Sequence, residues 1–573
     1  MKLLFEIFNL MPIKRQKQLP WIIFLMVLGA ALEVLGLGLI MPLMNYATGN
    51  SEDFAFFEKL FNPSGQITLG YVLIIAFGMA YVVKAVYLSF LALMVGRLIF
   101  TIKSEVCCNL LNFYLHVPYL FHVKNNSAKL IRNVTNETNQ LVGYALSPLL
   151  VITSEVIVIL AVTTFLLILE PLGTVTVVVL LFVLALCFHK IVSGYSQKLG
   201  AERQEADGNL IQKSQETLGG IKDITISGKQ DYFRKQFRLI SNQTARVSAK
   251  QYAITQVPRL YLESLGAVTM SIFLFAQVMI EGDIVDAIPI FSVFAMAAFR
   301  LLPSANRILS ALNAIKYSQA VIETLGSHVQ VPPMTEVKAS IDTRHFDFNK
   351  RVTLSNVSYT YPDSEVAALS KVNLTIRKGE SVGIVGKSGS GKTTLVNLLL
   401  GLLPPSSGDI LVDGKNINKN LKGWQAKVGY VQQDIFLLDE SVKNNIAFGL
   451  SNNEIDETKL LNVISEAQLD DFVNALPGNL LNKVGERGVR LSGGQKQRLG
   501  IARALYQGVE LLVFDEATSA LDGETEKEII QGLKRLHRSK TVVIIAHRLS
   551  TIQHCDRVIT MQDGKIVSIQ NSH

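Results

Sequence analysis

Six long apolar stretches dominate roughly the first 310 residues of the chain. Each contains about 20 residues or more, enough for a helix rising 1.5 Å per residue to cross the ~30 Å hydrocarbon layer of a bilayer. The pattern therefore predicts six membrane-spanning helices in a domain covering residues 1–325. The predicted spans are Trp21–Ala47, Leu69–Val95, Leu141–Leu169, Leu172–Val192, Leu260–Ile280 and Ala287–Leu309.

Charged residues around the spans predict their orientation. Lys14, Arg15 and Lys17 precede the first span, whereas acidic residues occupy the segment at 51–53 and the turn at 281–283. Because Lys and Arg accumulate in cytoplasmic loops, both termini are expected to lie in the cytoplasm. The first span is too long for a signal peptide, and we expect it to be retained as an anchor.

The connection between the fourth and fifth spans is long, polar and helix-like. Residues 193–258 are interrupted by Gly219-Gly220 near their middle. Two helices of ~30 residues would each extend ~45 Å, well beyond the bilayer. The sequence therefore predicts a solvated helical hairpin, whose glycine-containing tip we expect to contact a cytoplasmic domain.

Hydropathy falls after Leu325, and a different pattern begins. Residues 326–351, which include Pro332-Pro333, show no helical period and are expected to form a linker. Over residues 352–573, short apolar strands such as Ser381–Val385 alternate with glycine-rich turns and helices. This alternation is typical of an α/β domain.

Composition agrees with a membrane protein that has a soluble part. Charged residues make up 18% of the 573 residues, against ~25% in ordinary soluble proteins, and the mean hydropathy is +0.31. In a membrane protein the net charge of +8 indicates loops facing anionic lipid more than nucleic-acid binding. Four cysteines, none spaced as zinc ligands, exclude a disulfide scaffold.

The strand ending at Val385 leads into a glycine-rich loop and then an apolar helix. The loop, Gly386-Lys387-Ser388-Gly389-Ser390-Gly391-Lys392-Thr393, matches the phosphate-binding loop in its strand–loop–helix setting. Its glycines let backbone N–H groups surround phosphate oxygens, and the helix N-terminus adds partial positive charge. Lys392 is expected to reach the β- and γ-phosphates of ATP, and the Thr393 hydroxyl to bind Mg²⁺.

A second apolar strand, Leu511–Phe514, ends in two acidic residues. Asp515 is expected to hold Mg²⁺ directly or through water, and Glu516 lies where a general base could polarise the attacking water. An apolar strand followed by two acids is common at sheet edges. The phosphate loop is what makes this hypothesis specific.

The segment Leu491-Ser492-Gly493-Gly494-Gln495 resembles the signature of the ATP-binding cassette (ABC) transporter family. The resemblance covers essentially the whole chain, because six spans before one cassette is the layout of an exporter half-transporter. It implies a type I exporter fold, a membrane α-helical bundle with long cytoplasmic extensions followed by an α/β P-loop domain. It also implies three catalytic residues, which are Glu516, the lid-loop Gln433 and the switch His547. The implied Mg²⁺ ligands are Thr393, Gln433 and Asp515. The resemblance also implies that Tyr361 stacks on the adenine of ATP. The other implied ATP-binding residues are Gly386, Ser388, Gly389, Ser390, Gly391, Lys392, Thr393, Thr394, Ser492, Gly493, Gly494 and Gln495.

The resemblance further implies a partner chain. In the family the signature of one cassette faces the phosphate loop of another, and this chain carries one cassette, so a second copy of the chain is the simplest partner. The Ser492 hydroxyl and the Gly493 and Gly494 amides are then expected to meet the γ-phosphate from the far side. ATP would close the two half-sites, and hydrolysis would separate them.

Four basic residues lie within or beside the predicted spans. Lys84 is in the middle of the second span, Arg259 begins the fifth, and Arg300 and Arg307, seven residues apart, share a face of the sixth. Charges at such depth are costly and usually face a partner or a wet cavity. Both an anion-binding cavity for the substrate and internal ion pairing remain open. The carboxylates available for pairing are Glu33, Glu155 and Glu263.

The stretches Pro258–Gly266 and Arg300–Ile308, with the first span, resemble those of the lipid-linked oligosaccharide flippases of bacterial N-glycosylation. This resemblance implies a polyprenyl-pyrophosphate-linked oligosaccharide as substrate and the bacterial inner membrane as location. Lys84 replaces an arginine of those proteins, which keeps the charge but loses bidentate phosphate geometry. The alternatives are export of lipid A, phospholipid or drugs and, less favoured, of a peptide. The six full spans disfavour a membrane-anchored ATPase without a transport role.

Overall fold

The computed structural model describes residues 2–40, 42–43, 66–169, 171–281, 284–329, 346–515, 532, 539–546 and 552–571, and every structural statement below concerns these residues. The chain divides into two compact units. One comprises Met1–Val117 and His122–Thr335, and the other comprises Pro118–Phe121 and Glu336–His573. The first unit is helical and the second is α/β.

Long helices form the first unit, and each predicted span overlaps one of them. Helix α5 begins at Pro171, just after α4 ends, where proline suits the first helical turn. The longer helices are Lys2–Leu10 (α1), Leu19–Gly38 (α2), Gln66–His116 (α3), Ser147–Leu169 (α4), Pro171–Gly219 (α5), Gln230–Glu281 (α6), Ile284–Tyr317 (α7) and Gln319–Val329 (α8). Shorter helical segments are Ile13–Gln16, Ser127–Arg132, Thr138–Leu141 and Ile221–Ser227, with π-helical turns at Asn133–Glu137 and Val142–Leu146, and the short helix Tyr119–Lys124 is divided between the two units.

Three helical stretches among the described residues are long and apolar enough to cross a membrane. They are Ile13–Gly38, Tyr71–His116 and Ser127–Leu169. These stretches overlap the first three predicted spans. The other three predicted spans lie within α5, α6 and α7.

Helices α5 and α6 are far longer than a bilayer is thick. They contain 49 and 52 residues, so at 1.5 Å per residue each extends ~75 Å. The short helix Ile221–Ser227 separates them and ends at Gly228, whose φ of +64° is the left-handed conformation that favours glycine. The predicted helical hairpin with a glycine-containing tip is confirmed, and its contact with a cytoplasmic domain stays a prediction.

Helix α8 corrects one prediction for the linker. Its last turn includes Gly326 and ends at Val329, so residues 326–329 are helical although a non-helical linker was expected from 326. Buried Val321, Ile322 and Leu325 anchor this helix, and packing of that kind outweighs the ~1 kcal/mol that glycine costs within a helix. Residues 330–345 of the predicted linker lie outside the described part of the chain.

The second unit contains two sheets. A four-stranded antiparallel sheet has the order β2-β1-β4-β5, and a six-stranded sheet has the order β10-β9-β3-β8-β7-β6. The strands are Arg351–Thr360 (β1), Ala367–Arg377 (β2), Ser381–Gly386 (β3), Ser407–Val412 (β4), Lys415–Asn416 (β5), Val428–Val431 (β6), Leu511–Asp515 (β7), Thr541–Ile545 (β8), Arg557–Gln562 (β9) and Lys565–Asn571 (β10). The longer helices are Lys392–Leu399 (α9), Glu457–Glu466 (α10) and Gly493–Tyr506 (α11), and the shorter ones are Ile417–Lys419, Leu421–Gln425, Val442–Ile446, Asn452–Glu454, Asp470–Ala475, Asn479–Leu481 and Glu486–Gly488.

The central strands β3, β8 and β7 of the six-stranded sheet are buried on both faces, which explains why they consist mostly of apolar residues. Along β7, Leu511 and Val513 join the core shared with β1, β2 and β4, whereas Leu512 and Phe514 join the core that includes residues of α10 and α11. Strands β9, β3, β8, β7 and β6 are parallel, as expected for strands covered on both faces. Their carboxyl ends therefore meet at one edge of the sheet.

Candidate functional site

The carboxyl edge of the six-stranded sheet brings the phosphate loop and Asp515 to the same side of the domain. In the strand register Ile384 of β3 pairs with Ile545 of β8, and Ile545 pairs with Asp515 of β7. The loop follows β3 directly, and ligands of open α/β sheets bind beyond this edge. The predicted strand–loop–helix arrangement is thus present.

Two glycines allow the loop to turn as sharply as it does. Gly389 and Gly391 have φ values of +81° and +97°, which side chains rarely tolerate. A Cβ on Gly391 would also lie 2.7 Å from the carbonyl oxygen of Ala368, so the backbone approach leaves no room for one. The loop geometry therefore depends on the residue type at these positions.

Polar groups inside the loop fit the oxygens of a nucleotide phosphate. Lys392 is buried, and its Nζ donates to the carbonyl oxygens of Gly386 at 2.9 Å and Lys387 at 3.1 Å. The Ser390 hydroxyl is buried without a hydrogen-bond partner in the described residues. Helix α9 begins at Lys392 without a side-chain cap, so its first N–H groups point to the loop. These donors suit an anion with several oxygens.

Tyr361 lies next to the start of the same helix. Its Oη is 3.3 Å from Thr394 Oγ1, and its ring meets that of Tyr359 edge to face at 5.0 Å between centroids. This position beside the phosphate loop suits an aromatic that contacts a nucleotide. Stacking on adenine stays a prediction.

Asp515 is held by a residue that the sequence did not single out. Tyr430 on the neighbouring strand β6 donates from Oη to Asp515 Oδ2 at 2.9 Å. Burial and then the negative charge of Asp515 raise the pKa of Tyr430, so it remains a protonated donor at neutral pH. In the sequence, the local signal for this hydrogen bond is weak, because it consists of a tyrosine in an apolar strand three residues before Gln433.

The other two predicted Mg²⁺ ligands, Gln433 and Thr393, have exposed side chains, whereas the neighbouring Thr394 is buried.

The predicted catalytic residues Glu516 and His547 lie outside the described residues. Glu516 directly follows the last residue of β7, and His547 comes two positions after the last residue of β8. Their roles stay predictions from the sequence.

The signature segment forms the start of helix α11. Ser492 is the N-cap residue, its Oγ accepts from the Gln495 backbone N–H at 3.2 Å, and Gln495 Oε1 accepts from the Ser492 N–H at 2.9 Å. This reciprocal capping box satisfies two backbone donors and leaves the Ser492 hydroxyl hydrogen available. Ser492 and Gly493 are exposed, whereas Gly494 is buried. The motif thus presents donors on the surface of its own domain.

A cluster of five charged side chains occupies the first unit. Lys84 Nζ lies 3.0 Å and Arg300 Nε 2.8 Å from the same oxygen of Glu33. Arg300 Nη1 is also 3.3 Å from Glu155, and Arg307 Nε is 2.8 Å from the other oxygen of Glu155. Both carboxylates are nearly buried, with side-chain exposures of 6% and 10%. We call these five residues the cation cluster.

The structure thus brings together three of the four predicted substrate residues. Arg259 is separate and pairs with Glu263 on its own helix at 2.6 Å, where both side chains are more than half exposed. All four cations form ion pairs, as one interpretation of the sequence proposed. Binding of a substrate anion by them stays a prediction.

Comparison with known proteins places these features in a family. Residues 369–519 match the ABC transporter family, and residues 19–299 match the ABC transporter transmembrane region. An ATP-dependent lipid A-core flippase of Pseudoalteromonas translucida is 32% identical over 83% of this chain and 84% of its own length. One of Neisseria meningitidis is 30% identical over 79% of this chain and 72% of its own length.

A solved structure agrees in fold over nearly the whole chain. A bacterial Atm1-family ABC exporter with ATP bound superposes with a TM-score of 0.81, covering 97% of this chain and 95% of that one at 22% identity. The predicted type I exporter fold is confirmed, and the cassette is an ATP-binding ATPase domain. The chain therefore belongs to the ABC transporter family, as an exporter half-transporter that couples ATP hydrolysis to transport.

Proposed function

We propose that this transporter flips a polyprenyl-pyrophosphate-linked oligosaccharide across a bacterial inner membrane, with its cassette and both termini in the cytoplasm. The cation cluster is the observation that carries the proposal. It contains three cations and two carboxylates, so its five described side chains carry a net charge of +1. An excess positive charge at this depth is stabilised by an anionic ligand.

The chemistry of the cluster suits a pyrophosphate in particular. A pyrophosphate concentrates several negative charges in a small volume, and guanidinium groups such as those of Arg300 and Arg307 bind phosphate oxygens in a bidentate manner. Lys84, which lies 4.6 Å from the centroid of the Tyr81 ring, supplies a point charge instead. Substrate binding then requires phosphate oxygens to replace Glu33 and Glu155 as partners.

The relatives favour a second candidate. They are named ATP-dependent lipid A-core flippases, and they match this chain at about 30% identity over most of its length. A lipid A-core glycolipid, or another amphipathic anionic lipid, is therefore the alternative cargo. Both candidates predict a lipid-flipping exporter and differ in the lipid that stimulates it.

Reconstituted transport assays separate the candidates. Purified protein in proteoliposomes is assayed for ATPase stimulation and flipping with polyprenyl-pyrophosphate oligosaccharide, with lipid A-core and with zwitterionic phosphatidylethanolamine. We expect the first lipid to stimulate most. Stronger stimulation by lipid A-core would select the alternative, and equal stimulation by the zwitterionic lipid would refute an anion-specific cavity.

Substitution of the cations tests the role of the cluster. Lys84→Gln, Arg300→Gln and Arg307→Gln should abolish flipping while basal ATP hydrolysis continues, because the cluster and the cassette belong to different units. Arg259→Gln tests the fourth predicted cation, whose exposed pair contributes little to stability. Normal flipping in all four variants would refute a substrate role.

The ATP site supplies the energy for this cycle. Thr393, Gln433 and Asp515 offer hydroxyl, amide and carboxylate oxygens, the donors that Mg²⁺ prefers, and the Tyr430 hydrogen bond orients the Asp515 carboxylate. Bound Mg²⁺ would neutralise charge between the phosphates. Lys392 binds the phosphates, Glu516 orients the attacking water, and His547 senses the γ-phosphate.

The partner is a second copy of the chain, whose exposed Ser492 and Gly493 complete the ATP site. Mixing Ser492→Arg subunits with Lys392→Ala subunits tests this arrangement. In the mixed dimer one site carries both lesions and the other carries neither. We expect nucleotide trapping at about one site per mixed dimer, by the composite geometry of the site. Absence of trapping in verified mixed dimers would contradict it.

A further inference from the structure

The helix that carries the third predicted span contains two π-helical turns. Residues Ser127–Leu169 form one continuous helical stretch, in which the turns Asn133–Glu137 and Val142–Leu146 precede α4. A π turn bonds residues five apart rather than four, so it holds one residue more than a turn of α-helix. Such turns are rare and frequently occur at functional sites. Neither turn belongs to the ATP site or to the cation cluster.

An ion pair spans the first π turn. Arg132 Nε lies 3.2 Å from Oε1 of Glu137, five positions further along the chain. An α-helix brings together side chains three or four positions apart, whereas a π turn aligns positions five apart. The ion pair and the π conformation of this turn therefore stabilise each other.

Burial fixes the first turn further. The side chain of Glu137 has an exposure of 0%, and its Oε2 accepts from Arg203 of α5 at 3.1 Å. Arg203 also donates to Asp207 at 2.9 Å. Separating charges that are paired and buried is costly, because each is left without a partner in a medium of low dielectric constant. The first turn thus holds the beginning of the helix firmly against α5.

The second π turn is held much more weakly. Its residues, Val142–Leu146, carry no charge, and one of them is Gly143. A Cβ at Gly143 would meet no atom within 4 Å, so neighbouring residues leave space around this turn. The buried Ser318 hydroxyl donates to the backbone carbonyl of Tyr144 at 3.1 Å. A single hydrogen bond of this kind contributes modestly to stability, so this turn is the one that can change conformation.

Helix α4, which follows the second turn, can rotate about its axis at low cost. Glu155 is the only charged residue in its sequence. Apolar side chains occupy both its buried side, as at Val162, and its exposed side, as at Leu160. Lipid tails are as apolar as leucine, so exchanging one apolar face for another in a bilayer changes the energy little.

We propose that the second π turn is a register hinge, which converts to α-helix and back during the ATP cycle. Because one residue corresponds to ~100° of helix rotation, the conversion turns α4 by about that angle relative to the first turn. Glu155, which lies 2.8 Å from Arg307, then leaves the cation cluster. The hinge thus connects ATP-driven movement to the net charge of the cluster, and it does so whichever lipid is carried.

Electron paramagnetic resonance measures the rotation directly. A nitroxide linked to p-acetylphenylalanine is introduced singly at each position from 156 to 168 of the full-length protein in phosphatidylcholine nanodiscs. Its collision rate with oxygen is compared without nucleotide and after trapping with ATP and vanadate. Oxygen exposure along a helix with one lipid-facing side repeats every 3.6 residues. We expect the maxima to shift by about one residue between the two states, whereas movement of the whole helix as a rigid body leaves their positions unchanged.

Two matched changes at the same position assign the shift to the hinge. Deletion of Gly143 gives the second turn the residue number of an α-helix and keeps the flanking segments in their present register. Gly143→Ala retains the length of the turn and fits the space there. We expect the deletion to abolish the shift and the substitution to preserve it.

A second pair of variants tests the hinge if the deletion protein does not fold. Ser318→Ala removes the hydrogen bond to Tyr144, and Ser310→Ala makes the same change on α7 away from the turn. The first should increase the fraction of shifted helix without nucleotide, and the second should not.

Two results would overturn the proposal. Maxima at the same positions in both nucleotide states would show that α4 does not rotate. A shift that persists after deletion of Gly143, or that Ser318→Ala and Ser310→Ala affect equally, would show that the rotation arises elsewhere. The measurement uses no transported lipid, so its outcome is independent of the flipping assays.

Discussion

Glu155 is one of the two carboxylates that neutralise the cation cluster. It accepts from Arg300 at 3.3 Å and from the Ser304 hydroxyl at 2.6 Å, forms an ion pair with Arg307 at 2.8 Å, and its side chain is 10% exposed. Glu155→Gln keeps the size of the side chain and removes its charge, so two guanidinium groups lose their shared counterion. Arg300 keeps its other partner, Glu33, at 2.8 Å. The variant should therefore destabilise the membrane unit and leave its cations more available.

The expected size of the effect follows from burial. Removing one partner of a buried ion pair costs ~3–5 kcal/mol. Arg307 is 46% exposed, and Arg300 loses only one of its two carboxylate partners. We therefore expect Glu155→Gln to lower the free energy of unfolding by about 2–3 kcal/mol. The matched control is Glu263→Gln, because the Arg259–Glu263 pair has side chains 63% and 54% exposed. An exposed pair of this kind contributes little to stability.

Thermal unfolding in detergent micelles, with and without phosphatidic acid, measures both consequences. We expect Glu155→Gln to unfold at a lower temperature than the parent and Glu263→Gln close to it. Phosphatidic acid should restore more stability to Glu155→Gln than it adds to the parent, since a ligand stabilises the folded state that binds it better. Equal stability of the two variants would refute the burial argument. Equal stabilisation by lipid would show that the released cations do not bind phosphate.

Three further predictions concern the ATP site and the cysteines. Glu516→Gln should bind ATP but hydrolyse it at less than about a tenth of the parental rate, and faster turnover would refute its role as general base. Tyr430→Phe should raise the Mg²⁺ concentration needed for half-maximal ATPase by up to ~10-fold, because the carboxylate at the end of β7 loses a hydrogen bond. Tyr359→Phe is its control, since that hydroxyl has no partner in the described residues, and an equal effect of both changes would refute the assignment. Iodoacetamide at pH 8 should label exposed Cys108 and spare Cys555. Burial and the nearby charge of Asp556 raise the pKa of the Cys555 thiol to about 12, so little of it is thiolate. Equal labelling of the two cysteines in mass spectrometry would contradict this expectation.

The features that the sequence predicted well are those that local residue order determines. The phosphate loop depends on Gly389 and Gly391 adopting positive φ within one short segment, and the capping box of Ser492 needs a partner three residues away. The Arg259–Glu263 pair follows from helical spacing of four residues. The helices that are longer than a bilayer is thick are also predictable from local sequence, because they follow from continuous apolar or helix-forming composition.

The features that the sequence left open or did not indicate join residues far apart in the chain. Glu33 and Lys84 are 51 positions apart, Glu155 and Arg300 are 145 apart, and Tyr430 and Asp515 are 85 apart. Which carboxylate meets which cation depends on the packing of several helices, and no short pattern encodes it. The helical turn through Gly326 was missed for the same reason, because tertiary contacts of the preceding residues stabilise it.

The ion pairs of the cluster also bear on how a flippase can release its cargo. A cavity lined by unpaired cations would bind a phosphate strongly and hold it, whereas a ligand moves a conformational equilibrium only by its difference in affinity for the two states. Under the proposed function, phosphate oxygens would have to displace Glu33 and Glu155, which already lie 2.8–3.3 Å from the cations that bind them. Such an exchange costs less than leaving the cations unpaired, because they have an anionic partner both before and after it. A neutral drug cannot take part in this exchange, which favours anionic lipids as the cargo of this transporter.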